Sequence, residues 1–170
     1  MTCLVTLAIT CLAVLVVAMT ALLQPIPKLI WNASASVPIG LYSVRPATIY
    51  HVGDLVVVRA PETLAAFLYT RGYLAKGVPL LKHIAALPGQ VVCRTLRTIT
   101  VDGVTMGLAL DRDHFGRILP VWEGCRVVAD QEVFLMNWRS PNSLDGRYFG
   151  PLPASTIVGR ADPIWIPQDK

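Results

Sequence analysis

Along the chain, apolar positions fall into two regimes. From Cys3 to Leu23 only Thr6, Thr10 and Thr20 interrupt a continuous hydrophobic run. As a helix, its 21 residues would span roughly 31 Å at about 1.5 Å each, matching the hydrocarbon core of a bilayer. The run exceeds the roughly 7–15-residue apolar core of a secretory signal, has no basic residues before it and no clean A-x-A site after it. It is read as an uncleaved membrane anchor. A cleaved signal segment and a buried soluble helix are the competing readings. Beyond Lys28 the pattern changes to short runs rich in Val, Ile, Leu and Thr, separated by Gly, Pro and Asp. These predict strands at Gly40–Val44, Asp54–Arg59, Leu80–Ala86, Gln90–Thr95, Thr98–Val101, Glu132–Asn137 and Thr156–Arg160. Asp102-Gly103 is a hairpin turn between Ile99-Thr100-Val101 and Val104. One helix is expected over Pro61–Arg71, with Pro61 at its first position, Leu64, Phe67 and Leu68 on one face, and Gly72 ending it. The expected organisation is a membrane anchor or signal segment over 1–27 and a mainly β, antiparallel domain with one short helical insertion over 28–170.

Composition sharpens this division. The 170 residues are 54% hydrophobic and 15% charged, against about 45–50% and about 25% in an average soluble domain. No charged side chain precedes Lys28, so all of them fall in the second region. A disordered chain, a coiled coil, a collagen-like chain and a multi-span channel are excluded. The net charge of +4 and pI near 9.0 come from scattered positives without a basic run, so no nucleic-acid partner is expected. Orientation receives two opposed signals. Lys28 and Arg45 follow the apolar run and argue for a cytoplasmic domain. A Cys93–Cys125 disulfide would instead require an oxidising compartment, and two buried free thiols are the alternative. Cys3 and Cys11 belong to the apolar run. The cysteines have no metal-ligand spacing, and Asp111-Arg112-Asp113-His114 looks metal-like but is read as a polar loop. No metal or cofactor is expected.

Candidate chemistry begins with lysine, of which there are only four: Lys28, Lys76, Lys82 and Lys170. Lys82 lies in the apolar strand Leu80–Ala86. There its ammonium must reach solvent, as on an edge strand, or lose its proton and become available as a general base. Histidines 51, 83 and 114 with Asp145 could supply a Ser–His–Asp triad. His83, however, adjoins Lys82 and faces the other side of the strand, so it is read as packed or surface-facing. Upstream, Asn32-Ala33-Ser34-Ala35-Ser36 is a serine-bearing loop that also fits a glycosylation sequon.

Ser36-Val37-Pro38-Ile39-Gly40-Leu41-Tyr42 resembles the nucleophile box of the conjugative-transfer (TraF-type) branch of the signal peptidase family. Gly53–Val58 is similar to the strand that follows it there. Lys82-His83-Ile84-Ala85-Ala86-Leu87-Pro88-Gly89 resembles the lysine box, Asn137–Gly150 the C-terminal box, and Ile157–Ala161 the strand after it. The boxes occur in family order behind an apolar segment. The resemblance implies a signal-peptidase-like β domain in which Ser36 is the nucleophile and Lys82 the general base. Ser143, Asp145 and Arg147 would form a supporting network, and the Ser36 backbone N–H would make an oxyanion hole with the Ser34 hydroxyl. Ser34 is the alternative nucleophile. Two departures stand out: Pro38 follows Ser36 by two residues rather than three, which favours the conjugative branch, and the usual Gly-Asp after the lysine box is Gly89-Gln90. The implied function is membrane-anchored maturation of an exported precursor, with a pilin precursor as substrate and the conjugative transfer apparatus as context. The implied location is the inner membrane, facing the periplasm, or the periplasm itself if the segment is cleaved. In that branch the acyl-enzyme can be resolved by water or by the pilin's own amino terminus. A general leader peptidase, an autoproteolytic repressor and a non-catalytic membrane-tethered scaffold are the alternatives.

Overall fold

The computed structural model describes residues 2–23 and 27–167. Residues 1 and 24–26, within the expected 1–27 segment, and 168–170, within the expected 28–170 domain, lie outside the described residues. Helix α1 runs over Thr2–Leu23, and apolar side chains such as Leu4, Leu7, Leu12 and Leu15 are exposed along it. Among the described residues no helix is long and apolar enough to cross a membrane. The expected transmembrane helix therefore stands on the hydropathy of the sequence alone.

The rest is mainly β, as the alternation of short apolar runs predicts. Strands β1 (Leu29–Asn32), β2 (Gly40–Arg45) and β3 (Leu55–Val58) precede helix α2 (Glu62–Thr70). Then come β4 (Leu80–Ala86), β5 (Val91–Thr95), β6 (Thr98–Val101), β7 (Val104–Leu108), β8 (Gly124–Val127) and β9 (Glu132–Leu135). The one-turn helix α3 (Gly146–Phe149), β10 (Leu152–Pro153), a 3-10 turn at Ala154–Thr156 and β11 (Ile157–Trp165) complete the chain. The strands form two antiparallel sheets. The larger has the order β1-β2-β11-β3-β4-β9-β10, and the smaller β7-β6-β5-β8.

Their junction follows from sequence. β4 is apolar on both faces, and its Ala85 and Ala86 are small enough for Val92, Ile99 and Val101 of the smaller sheet to pack against them with Phe134 and Met136. A second cluster, Val37, Tyr42, Val44, Val57, Leu81 and Ala161, lies behind the loop after β1. In α2, Leu64 and Leu68 are the buried face, and Phe67 meets Phe149 of α3 edge-on. Asp102 and Gly103 both take positive φ, 47° and 80°, the left-handed conformation of the tight hairpin turn expected there. Cys93 and Cys125 are direct partners across β5 and β8 and form a disulfide. This selects the bonded reading over free thiols.

Candidate active site

The loop between β1 and β2 carries both serines, and Asn32 organises it. Asn32 is buried, and its side-chain amide donates to the carbonyls of Ser34 (2.8 Å), Val37 (3.1 Å) and Pro38 (3.0 Å). Its Oδ1 accepts from the Ser34 N–H at 3.1 Å and the Ser34 hydroxyl at 2.9 Å. The Tyr42 hydroxyl adds a bond to the Pro38 carbonyl at 2.6 Å. Asn32, read from sequence as part of a sequon, thus has its side chain committed to a turn. The first residue of that match was the signal for a scaffold residue. Ser36 is half-buried, and its Oγ lies 3.1 Å from Ser34 Oγ. With the Ser34 proton given to Asn32, Ser34 Oγ accepts from Ser36.

Lys82 sits in the middle of β4, 5% exposed. Its Nζ donates to Ser143 Oγ at 2.7 Å. Burial, the largest influence, drives the ammonium down to about 8; Asp145 opposes this and Arg147 adds to it. An interior β4 with β3 and β9 on its two sides rules out the edge-strand reading. Asn137 clamps the backbone around this lysine: its Nδ2 donates to the Leu81 carbonyl and its Oδ1 accepts from the His83 N–H, both at 3.1 Å. In the sequence Asn137 stands at the start of the C-terminal box, where nothing marks it for this role.

The 137–150 segment closes around a buried ion pair. Asp145 and Arg147 side chains are 0% and 1% exposed. Arg147 Nε donates to Asp145 Oδ1, and one terminal nitrogen to Oδ2, each at 2.9 Å. The same guanidinium reaches the carbonyls of Asn137, Ser140 and Pro141. Asp145 also caps α3 by accepting from the Arg147 N–H and takes the Asn137 N–H at 3.0 Å. Buried charges are tolerated when paired in this bidentate way with their remaining hydrogen-bonding capacity filled.

Ser36 borders two cavities. One, of about 670 Å³, is lined also by Ser34, Lys82, Ser143 and Tyr148. The other, of about 920 Å³, is a mainly apolar cleft bordered by Val37, Ile39, Tyr42, Leu55 and His83. The structure therefore brings Ser34, Ser36, Lys82 and Ser143 to one cavity, with Asp145 and Arg147 behind it. In this state Ser36 Oγ is bonded to Ser34 and Lys82 Nζ to Ser143, not to each other. His83 faces the opposite side of β4 from Lys82, as alternation requires. It is more than packed, however: it lines the apolar cleft while its ring lies 5.0 Å from Trp138 and Nδ1 is 3.1 Å from Asn137 Oδ1. His51 is paired with Asp54 at 3.8 Å, and His114 lies tilted against the Phe115 ring. Asp145 is occupied by Arg147, so no triad assembles around it. Asp113, in the polar loop, accepts from Tyr73, Arg117 and the Phe115 N–H. Burial pushes its carboxyl up, but these bonds outweigh it and hold it well below the usual range.

Residues 1–166 match the family model described as signal peptidase, peptidase S26. The chain belongs to the signal peptidase family. It is 36% identical over 147 residues to a conjugal transfer protein TraF from Agrobacterium tumefaciens, covering 79% of this chain and 80% of that one. It is 30% identical over 143 residues to a plasmid transfer protein TraF from Escherichia coli, covering 78% and 80%. A probable signal peptidase I-1 from Synechocystis is 32% identical over 110 residues, covering 65% of this chain and 52% of that one. Among solved structures, a signal peptidase I from Enterococcus faecalis aligns with a TM-score of 0.40 at 18% identity, over 66% of this chain and 97% of that one. Family membership makes this a peptidase of the TraF branch.

Proposed function

We propose that the protein is a membrane-anchored serine endopeptidase that matures an exported precursor, a conjugative pilin precursor, with Ser36 as nucleophile and Lys82 as general base. The observation that carries this reading is Lys82: a buried lysine on the cavity that Ser36 borders, with its ammonium lowered to about 8. An ordinary lysine is neutral to roughly one part in a thousand or less at pH 7. One with a pKa near 8 is neutral in about one molecule in ten at that pH.

Rotation of Ser36 away from Ser34 would bring its hydroxyl toward Lys82 within the shared cavity. Ser36 Oγ then attacks the scissile carbonyl and its proton passes to neutral Lys82. The backbone N–H of Ser36 stabilises the oxyanion, and the Ser34 hydroxyl joins it by turning its proton away from Asn32 Oδ1. Collapse breaks the C–N bond, and Lys82 returns the proton to the leaving amine, leaving an ester on Ser36. Water or a polypeptide amine, deprotonated by Lys82, resolves that ester. The apolar cleft on the other side of Ser36 suits a stretch of small apolar side chains preceding the scissile bond. The anchor reading rests on the hydropathy of the charge-free residues before Lys28. The disulfide supports the periplasmic placement, because such bonds persist in oxidising compartments.

The test is processing of candidate pilin precursors by the full chain in detergent, beside Ser36→Ala and Lys82→Ala, read by mass spectrometry. The wild type is expected to cleave and both variants to be inactive. A product lighter by one water than the cleaved chain marks resolution by an amine. Unchanged processing in both variants overturns the dyad.

A further inference from the structure

The smaller sheet touches the catalytic loop through two side chains that catalysis, as described, does not use. Arg94, in the central strand β5, is 2% exposed and faces three carbonyls with no carboxylate among its bonds. Its Nε donates to the Leu96 carbonyl at 3.1 Å, and one terminal nitrogen donates to the carbonyls of Pro120 (3.3 Å) and Arg147 (2.6 Å). Trp122, on the segment entering β8, donates its indole N–H to the Gly146 carbonyl at 2.9 Å and packs edge-on against Phe134. Gly146 and Arg147 open α3. A helix of one turn cannot satisfy its own terminal carbonyls, and only the Gly146 carbonyl has a backbone partner in the turn, the Gly150 N–H. Arg94 therefore supplies the donor that the Arg147 carbonyl lacks within the turn, and Trp122 adds a second donor to the Gly146 carbonyl.

The seating is tight. A Cβ on Gly146 would meet a Phe134 ring carbon at 2.6 Å and the Leu135 carbonyl oxygen at 2.7 Å, so α3 can approach β9 this closely only with glycine there. Asp145 is the cap of the same turn, and Ser143, two residues earlier, accepts the bond from Lys82. Burying an arginine with no carboxylate bonded to it is costly, and here its shortest bond is spent on this turn.

We infer that Arg94, with Trp122, is a positioning residue of the Ser36–Lys82 peptidase, acting through α3 and Ser143 to hold Lys82 in its dry, aligned state. This rests on the proposed role of Lys82 as base. The chain runs Arg94 to the Arg147 carbonyl, to Asp145 and Ser143, to Lys82 Nζ. The charged and titratable groups around that nitrogen are Asp145 and Arg147 behind it, and Tyr73, Arg112, Asp113, His114 and Tyr148 along the cavity. Arg94 touches none of the reacting atoms.

The test compares full-length wild type, Arg94→Met, Arg94→Lys and Trp122→Phe in detergent, each checked by thermal melting. Turnover of precursor is measured, and Lys82 reactivity toward a trace acetylating reagent is followed against pH by peptide mapping. Reactivity reads the ionisation of Lys82 without turnover. Arg94→Met is expected to lower kcat by about 10–100-fold, the scale for misplacement from outside the reacting groups. KM should stay within about twofold, as for a loss confined to the transition state. The midpoint of Lys82 reactivity should move upward as water reaches the amine, and Arg94→Lys should recover most of both effects. Should Arg94→Met fail to fold, Trp122→Phe, which keeps an aromatic ring but loses the pyrrole ring with its N–H, is expected to show smaller changes of the same sign. Folded variants with wild-type kcat and an unmoved Lys82 midpoint overturn the inference, as does a loss confined to KM. If Lys82→Ala processes precursor normally, the peptidase reading itself fails. If Lys82→Ala is inactive and Arg94→Met is not impaired, only the positioning inference fails.

Discussion

The burial that lowers the Lys82 ammonium comes at the expense of the fold. An unfolded chain holds this ammonium with a pKa near its ordinary value, whereas the native state lowers it to about 8. Below both values each state is protonated, and the full cost of the buried charge is present. Between about 8 and the ordinary lysine pKa the unfolded state binds more protons, so this group makes stability rise with pH across that window. Lys82→Met should therefore raise stability at pH 7 by roughly 2–4 kcal/mol, an advantage that fades above about pH 10; denaturant melts at pH 7 and 10 measure it. The activity consequence has the opposite dependence on the side chain. The wild-type kcat/KM for precursor is expected to climb with pH through a limb near 8, and a limb at the ordinary lysine value would show that the base is not desolvated. Asn32 belongs to the same scale. Asn32→Ala removes five hydrogen bonds from the serine loop and should cost about 1–3 kcal/mol by stranding buried partners. Processing should fall as Ser36 loses its frame, whereas a glycosylation role would leave both stability and processing of the unglycosylated protein untouched.

Among the elements, the strands that were legible are those whose burial alternates or is complete: β2, β3, β4, β5, β6 and β9. β4 read clearly because both of its faces pack. β8 has all four residues exposed, leaving no apolar pattern to read, and it is held by its ladder to β5 and by the disulfide. β1 was hidden at the foot of the apolar run; it pairs with β2 along its whole length, from Leu29 opposite Ser43 to Asn32 opposite Gly40, and only Asn32 of its four residues is buried. β11 continues past Arg160 through Pro163, aided by a register shift before Trp165, although proline within a strand argues against continuation. The departure at Gly89-Gln90 also has a structural sequel. Asp102, from the β6–β7 turn, accepts from Gln90 Nε2 and the Val91 N–H, each at 2.7 Å, so a carboxylate stands beside that position from another element. For the 137–150 loop, sequence indicated the polar residues but not their partners, since Arg147 reaches three carbonyls that only folding brings near. Arg147→Met should cost about 3–5 kcal/mol, because it leaves Asp145 charged and buried without its partner. Urea denaturation at neutral pH reads the loss.

For the whole molecule, two sheets meet at β4 and β9, and the site lies where the serine loop of one edge faces the loop that the smaller sheet supports. The smaller sheet is itself pinned by Cys93–Cys125, which closes a sequence separation of 32 residues. Replacing both cysteines by alanine should lower stability by about 2–4 kcal/mol, as loss of a loop of this size generally does, measured with the oxidised wild type as reference. Alkaline extraction of cell membranes tests the anchor: the full chain is expected to stay with the bilayer, and its release into the soluble fraction would favour a cleaved segment. The Ser–Lys pairing is the central claim, and the most direct measurement of it is to trap the acyl-enzyme. Full-length protein turning over a precursor is quenched in acid and peptide-mapped by mass spectrometry. The precursor-derived acyl group should be found on Ser36 and be absent from Lys82→Met. Acylation of Ser34 instead, or undiminished acylation of Ser36 when Lys82 is replaced, would contradict the account.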